Sequence, residues 1–237
     1  MTGQPADLGE LLESHLMAFT TKTHMARTRN SPEILTGPSY RRALEELARR
    51  DRDLAAILAR LGPPPMWLRA PGFPTLVQII LEQQVSLASA KAAFDRLSSE
   101  LSTVTPQRFL KLNDRKLKRI GFSRQKTRYC RELANALVAG RLDLNSLRKM
   151  SDEAVTEELV KLKGIGPWTA NIYLLMALRR PDVWPGNDLA LATAVQKVKR
   201  MRARPVPSKM ESLGRQWRPW RAVAARLFWH HYLAEKL

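Results

Sequence analysis

The residues in this sequence most able to do chemistry are a solitary aspartate and a glycine turn that precedes it. Gly164-Ile165-Gly166 predicts a tight turn that glycine adopts at little cost, and Pro167 then favours the start of a helix. Backbone N–H groups left free at such a turn and helix start bind anions. Asp188 lies further on, in an irregular segment just before a helix predicted to begin near Leu189. Because the chain carries a net charge of +18, the anion we expect is a nucleic-acid phosphate.

The turn and the aspartate together resemble one protein family. Leu162 to Ala170 reads L-K-G-I-G-P-W-T-A, and this hairpin, followed at such a distance by an acid, is similar to the helix–hairpin–helix DNA glycosylases. The continuation W-T-A-N, which ends at Asn171, resembles most the 3-methyladenine DNA glycosylase II branch. Proteins that bind DNA without cutting it also contain glycine hairpins. The hairpin together with Asp188 downstream is therefore a stronger resemblance than the hairpin alone. The resemblance implies double-stranded DNA with damaged bases as the partner and Asp188 as the catalytic residue.

A single carboxylate suits one particular reaction at a nucleotide. Hydrolysis of an N-glycosidic bond builds positive charge on the sugar as the base departs, and a nearby carboxylate stabilises that transition state. No second acid is needed when the base already carries a positive charge, as 3-methyladenine and 7-methylguanine do. Asp188 is therefore predicted to stabilise the sugar and to orient or activate a water molecule. The alternative is that Asp188 only caps the helix beginning near Leu189.

The residue at position 168 bears on whether the DNA strand is also cut. Bifunctional members of the resembled superfamily carry a nucleophilic lysine after the second hairpin glycine, where this chain has Trp168. The chain is therefore predicted to be monofunctional. The base must be flipped out of the stack, and the resemblance implies that Trp168, Trp229 and Ile172 line its pocket, with Ile172 standing where a relative has tyrosine. Indole faces attract a cationic base, although both tryptophans could instead be ordinary core residues.

Basic residues and backbone carbonyls beside the hairpin are candidate ligands for DNA and for a cation. Lys161 and Lys163 immediately precede the turn at Gly164, and their ammonium groups can bind the same phosphate as the N–H groups of Gly164 and Gly166. The resemblance also implies a site for a monovalent cation, Na or K, at three carbonyls, those of Val160, Leu162 and Ile165.

A second segment, Ile79 to Ser86, resembles the family motif I-L-x-Q-Q-x-S. In relatives this segment bends between two helices and faces the DNA opposite the hairpin. By position, Gln83 and Gln84 are predicted to contact DNA, and Gln84 to fill the gap left by the flipped base. Glutamine differs from the apolar wedges of many DNA-kinking proteins, so both residues could instead cap or cross-link helices.

The elements that must position these residues are helices. Apolar residues recur three and four positions apart from Pro38 onward, and strand-like alternation is almost absent. We predict an all-α fold of two helical lobes with a helix–hairpin–helix motif and a cleft between the lobes, lacking the N-terminal mixed α/β lobe of a relative. Residues 38–237 form this domain, with the hairpin at about 155–178 and the catalytic loop at 179–188, while residues 1–37 are a poorly ordered or loosely docked arm. A basic, proline-broken loop is expected at Met201–Ser208.

The composition of the chain limits the partners, cofactors and locations that we expect for it. Lys and Arg outnumber Asp and Glu 40 to 22, which favours a polyanionic partner. A single cysteine, Cys130, excludes an internal disulfide and a four-cysteine iron–sulfur cluster such as endonuclease III relatives carry. No apolar run reaches membrane-spanning length and no signal-peptide pattern is found, so we expect a cytoplasmic, nucleoid-associated monomer without a cofactor. The competing interpretation is a non-catalytic helix–hairpin–helix DNA-binding protein, which offers no reason for an acid beside the sugar.

Overall fold

The computed structural model describes residues 33–235, and all regular secondary structure in that range is helical. The all-α prediction is confirmed. Within the described residues no helix is both long and apolar enough to cross a membrane. Two short 3₁₀ turns, Ser146–Lys149 and Arg215–Trp217, accompany the α-helices. The α-helices are α1 Gly37–Arg50, α2 Arg52–Leu61, α3 Phe73–Glu82, α4 Leu87–Leu101, α5 Pro106–Leu110, α6 Asp114–Ile120, α7 Arg124–Val138, α8 Asp152–Val160, α9 Pro167–Met176, α10 Leu189–Val198, α11 Pro207–Gly214 and α12 Arg221–Ala234.

Side-chain caps set where most of these helices begin. A Ser, Thr, Asn or Asp at the N-cap accepts a backbone N–H of the first turn, which would otherwise have no partner. The hairpin helix α9 differs, because Gly166 precedes it and no side chain caps its first turn. The capping residues are Thr36, Asp51, Ser86, Thr105, Asn113, Ser123, Ser151 and Asp188.

The helices pack as two groups, in agreement with the predicted lobes. In the first group α3, α4, α6 and α7 pack in a chain of contacts, α5 packs on α7, and α9 joins them by packing on α3. In the second group α1, α2, α10 and the 3₁₀ turn Arg215–Trp217 pack around α12, whose residues from Ala222 to Trp229 are all buried. The hairpin is formed by α8 and α9, which pack on each other.

A buried arginine joins α9 to α12. Arg226 is fully buried, and its Nη2 donates to the carbonyl of Leu175 in the last turn of α9 at 2.9 Å. Its Nε donates to the carbonyl of Met66, also at 2.9 Å. Desolvation lowers the pKa of Arg226 to about 10, which leaves it charged at neutral pH. The two groups of helices are therefore fixed to each other next to the hairpin helix.

The amino-terminal boundary differs from the prediction. Residues 1–32 of the predicted arm lie outside the described residues. Leu35, which the prediction assigns to the arm, is only 1% exposed, and its N–H donates to the carbonyl of Arg179 at 2.7 Å. Thr36 then caps α1. The prediction of a loosely docked arm up to residue 37 is therefore wrong for its last residues, because the side chain of Leu35 belongs to the core.

Candidate active site and hairpin

The loop between α9 and α10 carries the candidate carboxylate, and a buried arginine fixes its start. Arg180 is 1% exposed, and its Nη2 donates to the carbonyls of Arg148 at 3.1 Å and Met150 at 3.0 Å, just before α8. Its Nε lies 3.1 Å from Oδ1 of Asp152, the first residue of α8. Burial lowers the pKa of Arg180 and raises that of Asp152. The start of the loop is thus tied to the first helix of the hairpin.

Asp182 and Trp184 tie the same loop to the segment that leads into α12. Arg221 donates from Nε to Oδ1 of Asp182 at 2.8 Å and from Nη2 to Oδ2 at 3.0 Å. The ring of Trp184 packs against that of Trp217, with centroids 5.1 Å apart. Because α12 also carries Trp229, these contacts fix the position of the loop relative to that tryptophan.

The carboxylate of Asp188 accepts hydrogen bonds from three N–H groups. Oδ1 accepts from the backbone of Leu191 at 2.6 Å and from Nε1 of Trp229 at 3.1 Å, and Oδ2 accepts from Nε1 of Trp168 at 2.8 Å. Asp188 is also the N-cap of α10. The same side chain therefore caps the helix and lies between the two tryptophans. A carboxylate has about four acceptor positions, two on each oxygen. Asp188 is partly exposed, so Oδ2 is the oxygen that can accept a further partner.

The two tryptophans meet the carboxylate with their indole edges. Trp168 is partly exposed, whereas Trp229 is 8% exposed. Ile172 is 3% exposed and belongs to the core. The structure therefore brings Trp168, Trp229 and Asp188 together. It gives no support to the prediction that Ile172 lines a base pocket, because a side chain so nearly buried offers almost no area to a base.

The two glycines of the hairpin turn are not equivalent. Gly164 has φ 94°, which L-residues rarely adopt, and a Cβ built there would overlap the ring of Tyr129 on α7. Gly166 has φ −98°, and a Cβ built there would have no atom within 4 Å. Backbone conformation and packing therefore require glycine only at position 164. At Gly166 the open space lies beside the uncapped first turn of α9, which suits a bound anion.

The turn between α3 and α4 contacts the hairpin directly. Nε2 of Gln83 donates to the carbonyl of Gly164 at 2.9 Å and to Oγ1 of Thr169 at 3.0 Å. For Gln83 the structure therefore favours the alternative interpretation, a cross-link between helices. Gln84 is exposed with φ 58°, and its role in filling the gap left by a flipped base stays a prediction.

The two lysines of the hairpin are exposed, whereas Leu162 and Ile165, which carry two of the predicted carbonyl ligands, are buried. Nζ of Lys161 is paired with Oε1 of Glu158 at 2.6 Å, and Lys163 is exposed. The carbonyl of Leu162 accepts the N–H of Ile165 at 3.1 Å, which leaves its second lone pair for a cation. Among the described residues no cluster of three or more His, Cys, Asp or Glu side chains could hold a metal ion. The monovalent cation stays a prediction for the carbonyls of Val160, Leu162 and Ile165.

Comparison with protein families identifies the group to which this arrangement belongs. A family model described as "HhH-GPD superfamily base excision DNA repair protein" matches residues 77–219, a range that includes the α3–α4 turn, the hairpin and Asp188. The chain belongs to the HhH-GPD superfamily. The predicted superfamily is thereby confirmed.

Individual relatives of this HhH-GPD chain agree with that result. An alkylbase DNA glycosidase-like protein of Schizosaccharomyces pombe is 26% identical over 198 residues, which cover 80% of this chain and 92% of that protein. DNA-3-methyladenine glycosylase 2 of Escherichia coli is 28% identical over 188 residues, which cover 73% of this chain and 64% of that protein. The chain thus spans less than two thirds of the E. coli relative. The solved structure of an S. pombe 3-methyladenine DNA glycosylase in complex with abasic DNA has a TM-score of 0.74 at 24% identity, covers 83% of this chain and 97% of that one, and shares the fold.

Several residues that support this HhH-GPD site were not predicted from the sequence. Tyr129 is one residue of a basic helix, and nothing local indicates that it packs on Gly164. Arg180 and Arg221 are two among many arginines of a basic chain, so their burial or pairing leaves no pattern in composition. Trp184 is the exception, because a tryptophan in an otherwise irregular loop is a signal of burial.

Proposed function

We propose that this chain is a monofunctional DNA glycosylase acting in base excision repair. It hydrolyses the N-glycosidic bond of alkylated purines of the 3-methyladenine and 7-methylguanine type, flipped out of double-stranded DNA. The observation that carries the proposal is the carboxylate of Asp188, held between the indole N–H groups of Trp168 and Trp229. The names of the relatives, DNA-3-methyladenine glycosylase among them, support the same substrate class. We further propose that it acts as a monomer in the cytoplasm, associated with the nucleoid.

In the proposed reaction Oδ2 of Asp188 faces the sugar at the position where positive charge develops. The C1′–N bond breaks, its electron pair leaves with the base, and a base that was cationic departs neutral without needing a proton. At an effective dielectric constant of about 20, opposite unit charges about 4 Å apart attract by about 4 kcal/mol, which corresponds to roughly a thousandfold in rate. Water, oriented by the same carboxylate, then bonds to C1′ and releases its proton to solvent.

Trp168 supports the monofunctional part of the proposal. Its indole stands at the position where the resemblance implies a lysine in bifunctional enzymes, and its N–H is donated to Asp188. An indole has no amine that could form a Schiff base with the sugar. The backbone N–H groups of the hairpin and the exposed Lys163 bind the phosphate backbone.

The proposal is tested by incubating the protein with methylated duplex DNA and measuring free 7-methylguanine. We expect base release that leaves abasic sites, no strand cleavage, and no covalent protein–DNA adduct on borohydride treatment. Asp188→Asn should bind the same DNA and release almost no base. An adduct trapped by borohydride would contradict the monofunctional assignment. Tight DNA binding by the wild-type protein without any base release would instead indicate a non-catalytic helix–hairpin–helix DNA-binding protein.

A further inference from the structure

Three separate parts of the chain meet in a basic region away from the hairpin. Arg50, the last residue of α1, donates from Nη1 to the carbonyl of Arg218 at 2.9 Å and from Nη2 to a second carbonyl of that segment at 2.8 Å. Lys199, just after α10, donates to Asp51 at 2.7 Å and to Asp53 at 2.8 Å. These bonds join the α1–α2 junction to the end of α10 and to the residues that lead into α12.

Exposed arginines from all three parts form what we call the arginine surface. The side chains of Arg200 and Arg218 are 78% and 61% exposed. The guanidinium of Arg42 lies 5.5 Å from the ring centroid of Trp220, which places it beside the same junction. The arginine surface consists of Arg42, Arg50, Arg52, Arg200, Arg215 and Arg218.

The acidic residues of this region are already paired within the protein. Asp51 is 8% exposed and accepts from Lys199 and, at 2.8 Å, from Nε1 of Trp217. Glu46 accepts from Nε1 of Trp220 at 2.8 Å and from Arg50 at 2.9 Å. Three members of the arginine surface, Arg50, Arg200 and Arg218, each lie within 4.0 Å of a carboxylate. Among the described residues the other three, Arg42, Arg52 and Arg215, form no ion pair, so the arginine surface keeps an excess of positive charge toward solvent.

The arginine surface lies about one helix length from the candidate carboxylate, a distance that a few base pairs of a duplex span. α10 begins directly after Asp188 and has 10 residues, so its far end lies about 15 Å away at 1.5 Å per residue. α12 gives a similar value, since Trp229 follows Arg221 by eight residues, or about 12 Å. Phosphates of one strand are spaced about 3.4 Å apart along the duplex axis, so this distance corresponds to about four base pairs.

We propose that the arginine surface binds the sugar–phosphate backbone of the duplex beside the lesion, as a second contact in addition to the hairpin. The inference rests on the proposed function only for the identity of the polyanion as DNA. Guanidinium groups form bidentate hydrogen bonds with phosphate oxygens, which favours backbone contact without base readout. The arginine surface would therefore raise affinity for damaged and undamaged duplexes alike.

The test compares two triple variants that lower the net charge equally. One removes part of the arginine surface by Arg52→Ala, Arg200→Ala and Arg215→Ala, and leaves intact Arg50, which cross-links α1 to the segment before α12. The control variant carries Lys91→Ala, Arg141→Ala and Lys149→Ala, at exposed positions elsewhere. Affinity is measured for an undamaged duplex of about 25 base pairs between about 50 and 200 mM salt.

We expect the arginine-surface variant to lose affinity for this duplex at low salt by about tenfold or more. Its plot of log K against log salt should become shallower by about 0.9 for each phosphate contact removed. The control variant should show a much smaller loss. Equal losses in the two variants would overturn the inference and leave only a general charge effect. The assay reads binding to undamaged DNA, so its outcome is separate from failure of base release.

Discussion

Substituting alanine for Gly164 tests how the hairpin turn is held against the rest of the fold. Because φ is 94° at this position, alanine there costs about 1–2 kcal/mol from the backbone alone. Its methyl group also overlaps the ring of Tyr129, and relieving such an overlap in a packed interior costs about 1–3 kcal/mol more. We therefore expect Gly164→Ala to lower the free energy of unfolding by about 2–5 kcal/mol, a large part of the roughly 5–15 kcal/mol of a typical domain.

Three further variants, Gly166→Ala, Tyr129→Ala and the double variant, separate these contributions when urea unfolding is measured for each. Gly166→Ala should cost less than about 1 kcal/mol, because its backbone is extended and only the poorer N-cap matters. Combining Gly164→Ala with Tyr129→Ala should cost less than the sum of the two single changes, since the overlap is gone. The reasoning is refuted if Gly164→Ala and Gly166→Ala lose the same stability, or if the double variant is additive.

Three other predictions concern ion pairing, pH and the site. Lys199→Met removes the lysine that pairs with the buried Asp51 and the partly buried Asp53, and should cost about 3 kcal/mol in urea unfolding, whereas Lys91→Met breaks an exposed pair and should stay within about 0.5 kcal/mol; equal costs would contradict the burial argument. Burial lowers the pKa of His231 below its usual 6.5, so the unfolded chain binds the proton more readily and the free energy of unfolding should fall as pH drops below about 6.5; His231→Gln should flatten that part of the curve, and an unchanged slope would argue against it. Trp168→Phe keeps the ring but removes the N–H donated to Asp188, so single-turnover base release should slow about tenfold, and a change in DNA affinity alone would assign the indole to binding.

The helical fold could be predicted because its signals are local. Apolar spacing along the chain is sufficient to predict an all-α fold, whereas the break between α3 and α4 is implied only by the resemblance of Ile79 to Ser86 to the family motif. Two departures have physical reasons. Leu35 is buried in an extended segment, where a single apolar residue shows no period. α11 begins at Pro207, inside the predicted loop Met201–Ser208, because proline is compatible with the first turn of a helix. The prolines in this segment favoured a loop in the prediction, so the start of the helix was missed.

The residue types of the candidate site could be predicted from the sequence, but the orientation of their side chains could not. Asp188 and Trp229 were paired by resemblance, yet they are 41 residues apart, and only the packing of α10 on α12 turns the indole edge toward the carboxylate. Gln83 and Gly164 are 81 residues apart, so the hydrogen bond that makes Gln83 a cross-link has no local signal. The same holds for Ile172, whose burial depends on helices that are distant in the sequence.

The central claim, that Asp188 stabilises a cationic sugar, is tested most directly by the single-turnover rate of 7-methylguanine release in Asp188→Asn. Asparagine is as good an N-cap as aspartate, so α10 should keep its start. The account predicts a rate lower by about a hundred- to a thousandfold, with the Kd for the same duplex changed by less than about threefold. Release of the base at the wild-type rate would contradict it.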